Sequence, residues 1–475
     1  MSARKVVSYD DTYADKFDNG IGHGTHVAGL VGGAVLAGSG SDPGSGVAPD
    51  AKLHFFDMAV GDSVVYDPGV ARLFNSFYSN GNGAKIHIGS WGRNYQSVYS
   101  QDCQDIDEAL FIYEDVLYVA SAGNDGDREN PWRSIKNPAD CKNSLAVGAS
   151  QSYGKAIMSN DRGPSYVPAF SARGPTADGR TKPDLIAPGY MVSGAVSNPA
   201  DASNCGFEPW AGTSMSAPIV AGAAALISQY FKEGWYPGGF KGSGEGFHPS
   251  GSLIKAVLMG GGQYLKGVQK VPNGNILQSS EFYDSIQNMG VINLLKSLPL
   301  FRYNQLNAMV VNNEEIVGGS YHVYDIDVKT CSQEINELTV TLVWMDPAAA
   351  SNCQNCLVND LDLTLKLPSG VIQFPNGLSV PDAKNNAERI RIDSTGQGNY
   401  KVIVDATNLA TASQRYSLVA TGCFSYDWSQ STQQVPSSDF FLDTLWGGGL
   451  KSGGSMFGIV AKSDINIILL YGFFS

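Results

Sequence analysis

The chain is 475 residues long, which predicts two or three domains at about 100–200 residues per domain. Charged residues are 16% and hydrophobic residues 43% of the sequence, so the composition excludes a disordered chain and a coiled coil. The net charge of −13 argues against a nucleic-acid partner, because such partners are held by Lys and Arg side chains that neutralise phosphates.

From residue 5 to about residue 300, short apolar runs alternate with helical stretches. This alternation is typical of an α/β fold with a parallel sheet covered by helices, whose active sites form at the carboxyl ends of the strands. We predict strands at Lys5–Tyr9, Leu53–Met58, Lys85–Gly89, Val116–Ser121 and Ser144–Gly148, and helices at Thr25–Leu36, Pro68–Ser79, Cys103–Tyr113, Ser214–Phe231 and Leu253–Met259.

After Leu300 the apolar residues repeat with a period of two, and turn residues separate the segments. Short strands without helices between them predict a β-sandwich or jelly roll. We therefore expect an α/β domain over 1–300, an all-β jelly-roll domain over 301–425, and a linker or disordered tail over 426–475. The predicted strands are Leu338–Trp344, Asp360–Leu367, Arg389–Asp393, Tyr400–Asp405 and Tyr416–Ala420.

The two ends of the chain carry no targeting signal that the sequence makes visible. No window reaches the ~18 apolar residues of a membrane span, and the first residues contain no apolar segment of a signal peptide. The longest apolar runs are Ala217–Ile227 and Ile465–Phe474.

The seven cysteines are an odd number, so at least one is unpaired or has its partner outside this chain. We predict disulfides Cys103–Cys141 and Cys331–Cys423. Cys353 and Cys356 form a single CxxC without the second pair of a zinc site, and they read as a loop disulfide or as two free thiols.

Three polar clusters lie where a predicted strand meets a loop or helix. They are Gly22–Gly29, with His23 and His26, then Ser121–Gly126, with Asn124, and Gly212–Pro218, with Ser214. A Ser at a helix N-terminus lies near unpaired N–H groups, but it needs a His as base before it can attack. An Asn amide donates to an oxyanion. Together these residue types predict an acyl-transfer site.

Each residue also has a simpler interpretation. Ser214 alone is typical of a helix N-cap, Asn124 of a turn, and His23 with His26 of a metal pair, although no carboxylate lies between the two histidines. The order His before Ser, and a Ser at position 216 where the α/β-hydrolase motif has its final Gly, disfavour an α/β-hydrolase.

The three clusters resemble the motifs of the subtilisin-like serine peptidases, the subtilases. Further segments match that family: Gly46–Pro49, Ser90–Gly92, Phe170–Pro175 and Lys182–Gly189. Leu357–Leu363, Asn385–Glu388 and Gly398–Tyr400 resemble the large alkaline subtilisins that carry a C-terminal jelly roll.

The resemblance implies a serine endopeptidase that acts on polypeptide substrates. Ser214 is then the nucleophile, His23 the general base, and Asn124 the oxyanion donor beside the N–H of Ser214. Residues Ser90, Trp91 and Gly92 are expected to line the substrate cleft, with Ala122 and Gly123 as the facing wall.

One feature departs from the family pattern, because no Asp-Ser/Thr-Gly motif precedes His23. Lys5–Tyr9 resembles the family's second strand, so the central strand that would carry the triad Asp is not found. Three explanations remain open: a chain that starts after that Asp, a catalytically dead scaffold that binds peptides, or substitution by Asp10 or Asp11. For the chain as written we predict poor folding and almost no activity, since a buried central strand is missing.

The resemblance also bears on cofactors and location. The chemistry requires no cofactor, but Asp360 and Asp362 lie on one face of a predicted strand and are candidate ligands for a structural calcium ion. The resemblance favours a secreted or endomembrane-lumenal protein, and it leaves the oligomeric state open.

Overall fold

The architecture is taken from a computed structural model of the chain. It describes residues 5–11, 22–34, 45–60, 63–64, 83–93, 97–153, 161–197, 206–272, 274–329, 336–423 and 466–470. The predicted helix Pro68–Ser79 lies outside these residues.

The N-terminal part is built on a seven-stranded sheet whose strands all pair in parallel. In spatial order the strands are β1 (Val6–Asp10), β2 (Lys52–Phe56), β22 (Asn466–Leu470), β5 (Ile86–Gly89), β6 (Leu117–Ser121), β7 (Leu145–Gln151) and β9 (Leu185–Tyr190). Residues of β5, β6 and β7 are buried throughout, as expected for a sheet that is covered on both faces. The predicted α/β fold is confirmed.

Helices cover both faces of this sheet. One face packs on α1 (His23–Gly32), α3 (Thr213–Lys232) and α4 (Gly251–Gly260), and the other packs on α2 (Gln101–Ile112). Helix α3 is apolar almost all round, which is typical of a helix buried in the centre of a domain. The last helix, α5, is a single turn at Leu294–Ser297.

The C-terminal tail differs from the expected linker in one segment. Asn466–Leu470 forms β22, and it pairs in parallel with β2 on one side and β5 on the other. Residues 466–470 therefore form a strand inside the segment expected to be a linker or disordered tail, but they contain no Asp and so do not supply the triad strand that the sequence lacks. The physical reason is that an apolar strand at the far end of the sequence can fill a buried position that local patterns cannot assign to it.

Small antiparallel pairs surround the main sheet. They are β3 (Ala59–Val60) with β4 (Ser63–Val64), β10 (Val192–Val196) with β11 (Gly206–Trp210), and β12 (Gly267–Lys270) with β13 (Asn275–Ser279), whose edge also carries β8 (Tyr166–Pro168) in parallel. The β10–β11 pair places Trp210 directly before the cluster that contains Ser214.

The chain changes to an all-β domain between α5 and Asn307. Two four-stranded sheets, in the orders β14-β21-β16-β19 and β15-β20-β17-β18, enclose a core that includes Trp344 and Tyr416. This alternation of strands between two sheets is the order of an eight-stranded jelly roll. The strands are β14 (Asn307–Val317), β15 (Tyr321–Val328), β16 (Leu338–Trp344), β17 (Asn359–Lys366), β18 (Ile372–Gln373), β19 (Ala387–Ile392), β20 (Gly398–Leu409) and β21 (Ser413–Gly422).

Charged and polar side chains are buried at the junction between the two domains. Lys142 of the α/β domain forms an ion pair with Asp346 of the jelly roll, and both side chains are 0% exposed. Asn143 donates to the carbonyl of Asp346 at 2.8 Å, while Arg389 donates to the carbonyls of Met259 and Met289, at 2.9 Å each. Because these charged groups are fully enclosed, the two domains must be docked for the groups to have partners.

The disulfide predictions have mixed outcomes. Cys103–Cys141 is present as predicted, and Cys353–Cys356 forms the loop disulfide that the sequence left as one of two alternatives. Cys423 is disulfide-bonded, but its predicted partner Cys331 lies outside the described residues. Within the described part of the chain, no helix has the length and apolar character that crossing a membrane requires.

Candidate active site

Ser214 lies in the first turn of α3, at the carboxyl edge of the sheet. The residue before the helix, Gly212, has a φ of +155°, a conformation that favours glycine. This turn places the N–H groups of the first residues of α3 beside the Ser214 side chain, which is only 3% exposed. The positive end of a 20-residue helix therefore lies at the serine that the sequence predicts as nucleophile.

Ser214 is hydrogen-bonded to Ser90, at the end of β5, and a proline in α3 makes this possible. Pro218 has no N–H, so the carbonyl of Ser214, four residues earlier, receives no bond from it within the helix. The hydroxyl of Ser90 donates to that carbonyl at 3.1 Å, and the hydroxyl of Ser214 donates to the carbonyl of Ser90 at 3.3 Å. These reciprocal bonds fix Ser214 against the end of β5.

Asn124 is held with its amide nitrogen towards the same turn. Its Oδ1 accepts from the N–H of Thr213 at 2.9 Å and from the Thr213 hydroxyl at 3.0 Å, which fixes the orientation of the amide. A Cβ built on Gly212 would lie 3.4 Å from Asn124 Nδ2 and 3.7 Å from the backbone N of Ser214. Two hydrogen-bond donors therefore converge on one point beside Gly212, which is the geometry of an oxyanion site.

Thr213 is a positioning residue that the sequence analysis did not single out. Besides its bonds to Asn124, its hydroxyl accepts from the N–H of Gly123 at 3.0 Å. Gly123 has a φ of +119°, and a Cβ there would approach Lys136 Cγ to 2.7 Å, so this wall of the site requires glycine. Its position between Gly212 and Ser214 was the feature of the sequence from which this role could have been predicted.

The remaining predicted cleft residues lie at neighbouring strand ends. Ser90 and Trp91 follow β5 and are buried, Gly92 is half-buried, and Ala122 follows β6 and is fully buried. The carboxyl ends of β5 and β6 are adjacent in the sheet, so these residues and Ser214 share one edge.

His23 is the first residue of α1, and it is 7% exposed. Burial lowers the pKa of His23 to about 4, with the nearby His26 as a second and smaller cause. The imidazole is therefore neutral at pH 7, which is the form that accepts a proton. Helices α1 and α3, which carry His23 and Ser214, pack against each other.

Trp210 covers the two histidines and was also missed by the sequence analysis. Its ring stacks on His26, with centroids 4.5 Å apart and planes 3° apart, and its centroid lies 6.4 Å from that of His23. His26 makes a 3.1 Å contact from Nε2 to the carbonyl of Glu208, and burial lowers its pKa to about 4. This packing accounts for His26 as a core residue rather than as a metal ligand.

The two carboxylates considered as substitutes for the triad Asp lie at the edge of the sheet. Asp10 is the last residue of β1, which is the edge strand, and Asp11 follows it. The backbone carbonyl of Asp10 accepts from the N–H of Asp57 at 2.9 Å.

A second polar centre lies in the jelly roll. Asp360 and Asp362 are half-buried on β17, and Glu388 on β19 is 0% exposed. Each has one buried carboxylate oxygen without a hydrogen-bond partner. Burial, followed by the charge of Asp362, raises the pKa of Asp360 to about 7, and burial followed by Asp382 raises that of Glu388. Glu388 was missed as a member of this centre, although its motif was part of the resemblance.

Only one group of potential metal ligands among the described residues has all its ligand atoms within 4.8 Å of one another. It consists of Cys103, Asp140 and Cys141. The two cysteines are joined in a disulfide, so their sulfurs are not available as thiolate ligands.

Comparison with known proteins places the chain in a family. The sequence profile of the Subtilase family matches residues 2–259, more than half of the chain. The chain is 26% identical over 566 aligned positions to the serine protease/ABC transporter B family protein tagD of Dictyostelium discoideum, covering 92% of this chain and 31% of that protein.

Two further relatives match shorter parts. Pyrolysin of Pyrococcus furiosus is 27% identical, with 60% of this chain and 22% of that protein covered. The membrane-bound transcription factor site-1 protease of Homo sapiens is 29% identical, with 44% and 18% covered. The chain thus spans less than a third of the length of these relatives. The profile match and the motifs together establish that the chain belongs to the subtilase family.

Proposed function

We propose that the chain is a serine endopeptidase that hydrolyses peptide bonds through an acyl-enzyme, with Ser214 as nucleophile and His23 as general base. The observation that carries this proposal is the convergence of Asn124 Nδ2 and the Ser214 N–H beside Gly212, directly at the nucleophile. Ser214 is not the N-cap of its helix, because that position is occupied by Gly212 and no side chain caps the helix, so the simpler N-cap interpretation of Ser214 is wrong.

The reaction uses these groups in sequence. As Ser214 Oγ attacks the carbonyl carbon of the substrate, its proton passes to the neutral imidazole of His23. The resulting oxyanion accepts hydrogen bonds from Asn124 Nδ2 and the Ser214 N–H. His23 then gives the proton to the leaving amine, and the C–N bond breaks. Water attacks the acyl-enzyme, transfers a proton to His23, and releases the carboxylic acid and free Ser214.

The substrate class follows from the cleft. Ser90, Trp91 and Gly92 leave β5 at the sheet's carboxyl edge, and an extended peptide can pair with this segment as an added strand. Ala122 and Gly123 form the opposing wall of this cleft.

Labelling with a fluorophosphonate probe tests the proposal directly. We expect covalent modification of the full chain at Ser214, together with slow cleavage of a quenched fluorescent casein, because no triad Asp is found before His23 and losing that Asp costs about 3 × 10⁴ in kcat in subtilisin. Ser214→Ala should abolish both signals, while the matched variant Ser216→Ala should retain the label. A folded chain that takes up no label and cleaves nothing would overturn the proposal and favour the second candidate, a subtilase-fold scaffold that binds peptides.

We also propose that Asp360 and Asp362 are ligands of a structural calcium ion, with backbone carbonyls or water completing the shell. The unpartnered buried oxygens of these residues fit a hard cation, because Ca²⁺ is bound by six to eight oxygens and would neutralise carboxylates that now repel one another. The ion would stabilise the jelly roll and take no part in peptide hydrolysis.

A secreted or lumenal location is the compartment that we propose. The two disulfides Cys103–Cys141 and Cys353–Cys356 support it, since such bonds form and persist in oxidising compartments. Thiol titration of the protein purified without reductant checks this, because both pairs should then be unreactive before unfolding.

A further inference from the structure

The central position of the main sheet, between β2 and β5, is filled by the strand that lies furthest away in sequence. Ile467–Leu470 pairs with β5 and Asn466–Leu470 pairs with β2, both in continuous parallel register. Residues 424–465 separate this strand from the last residue described in the jelly roll. The position between β2 and β5 is therefore filled by a segment that follows both domains in the sequence.

Without β22 the sheet would divide into two parts. One part would be β1 with β2, and the other would be β5, β6, β7 and β9. Leu53, His54 and Phe56 of β2 and every residue of β5 are buried, so an empty gap would leave backbone groups in the interior without partners. A two-stranded piece has little stability of its own, so β1 and β2 depend on the strand that joins them to the rest.

The sequence of the segment suits this position. The strand reads Asn-Ile-Ile-Leu-Leu, and its last four residues are a continuous apolar run without Pro or Gly. Strands of parallel sheets that are covered on both faces carry such runs, whereas strands at a solvated surface alternate polar and apolar residues. The preceding segment contains 42 residues, which can extend to roughly 140 Å and so reaches any point on a chain of this size.

The position between β2 and β5 lies between the parts of the sheet on which the two helices of the candidate active site pack. Helix α1, which begins at His23, packs on β22 and on β2, whereas α3, which carries Ser214, packs on β5, β6 and β7. Within the sheet, β22 is the strand that joins the His23 side to the Ser214 side. Its presence therefore affects how the two residues are placed relative to each other, a consequence that rests on the proposed function.

We propose that the position between β2 and β5 is a binding site for a parallel β-strand, and that the chain's own C-terminal strand Asn466–Leu470 occupies it and assembles the active site. The recognition is strand addition through main-chain hydrogen bonds, but in the middle of a sheet rather than at its edge. The tether makes the binding intramolecular, so the occupant is supplied at a high effective concentration.

Hydrogen exchange on the full-length chain tests the occupancy. The amides of 466–470 should be protected by at least about 10³ relative to an unfolded peptide, and they should exchange together with those of β2 and β5. Exchange of 466–470 at the unfolded rate, with β2 and β5 still protected, would overturn the proposal.

A proline variant tests the dependence on this strand. Ile468 pairs with His54 on one side and His87 on the other, so Ile468→Pro removes an N–H inside a strand that is paired on both sides. We expect β2 and β5 to lose their protection by tenfold or more, while β16 in the jelly roll keeps its own. Ile372→Pro, on the short edge strand β18 where Ile372 is 50% exposed, is the matched control and should leave β2 and β5 unchanged.

Rescue in trans distinguishes a binding site from simple misfolding of the variant. A labelled peptide of residues 464–471 with added lysines should bind the Ile468→Pro chain saturably and restore protection of β2 and β5. The same peptide with Pro at its position 468 should not. Unchanged protection in the Ile468→Pro chain, failure of the peptide to bind, or a parent protein that is a strand-exchanged dimer by light scattering would each contradict the proposal.

These measurements are independent of catalysis. If 466–470 is protected but Ser214 is not labelled by the fluorophosphonate, the proposed function fails and the strand site stands. If labelling occurs while 466–470 exchanges freely, the strand site fails and the peptidase function stands.

Discussion

The ion pair between Lys142 and Asp346 provides the sharpest test of how the two domains are joined. The Asp346 carboxylate accepts from Lys142 Nζ, from the N–H of Val358 at 3.0 Å and from the N–H of Asn359 at 2.8 Å. Asp346 is the acceptor in all three hydrogen bonds, as expected for an ionised carboxylate, which has no proton to donate. Asp346→Asn would leave the Lys142 ammonium enclosed without its counter-charge.

The size of the effect follows from this enclosure. Breaking a buried ion pair by removing one partner costs about 3–5 kcal/mol, because the remaining charge cannot be solvated. The Asn side chain has one acceptor oxygen for two backbone N–H groups, and an orphaned buried donor costs a further 1–3 kcal/mol or so. We therefore expect Asp346→Asn to lower the free energy of unfolding by at least about 4 kcal/mol, and Lys142→Met combined with Asp346→Asn to recover much of that loss.

Urea unfolding at pH 7 measures this difference, followed by tryptophan fluorescence and circular dichroism. Trp344 is a suitable reporter, because it is 0% exposed and its indole N–H donates to the carbonyl of Asn359 at 2.9 Å. Asp325→Asn, which removes an exposed partner of Lys401, is the matched control and should leave the midpoint unchanged. A loss below about 1 kcal/mol for Asp346→Asn would refute the reasoning, since a solvated pair contributes no more than that.

Four further outcomes are expected from the candidate sites. Asn124→Ala should lower kcat on a peptide substrate by about 10²–10³ with little change in KM, because it removes a donor to the transition-state oxyanion. A rise in KM with kcat unchanged would contradict this role. Ser90→Ala should lower fluorophosphonate labelling of Ser214 without unfolding the protein, since it removes the bond that satisfies the Ser214 carbonyl; unchanged labelling kinetics would exclude this positioning role. The pH profile of kcat/KM should rise through pH 4 or so, because burial lowers the pKa of His23 to about 4 and only the unprotonated imidazole accepts a proton; a limb near the ordinary pKa of 6.5 would contradict the buried environment. Calcium at 100 times its Kd should stabilise the folded chain by about 2.7 kcal/mol, measured as a rise in Tm that a chelator reverses, and Asp362→Asn should reduce that rise; a Tm that does not respond to calcium would overturn the site.

The chemistry of the candidate site was predictable from sequence because its residues lie in short continuous motifs. Ser214 follows Gly212 at the start of an apolar helix, and Asn124 follows a buried strand, so local patterns place both at the carboxyl edge of a parallel sheet. Thr213 and Trp210 were missed, since their roles are contacts to Asn124 and His26, which lie at least 89 residues away.

The jelly roll shows the same division. Five of its eight described strands were predicted from period-two alternation, and β16 has the predicted bounds Leu338–Trp344, but β14, β15 and β18 were missed. Glu388 was not recognised beside Asp360, because the two lie on strands of different sheets, and only their packing against each other brings the carboxylates together.

By itself, the sequence indicated the alternation of strands and helices that gives the α/β fold, the family, the polar residues at the sheet edge and the Cys103–Cys141 pairing, while it missed strands such as β9, β14 and β15. The tertiary structure alone decided that Asn466–Leu470 lies at the centre of the main sheet, and that Lys142 meets Asp346 across the domain junction. The physical reason is the distance along the sequence over which each interaction acts. Helix and strand formation and short motifs depend on neighbouring residues, whereas strand order and buried charge pairing depend on which distant surfaces exclude water together.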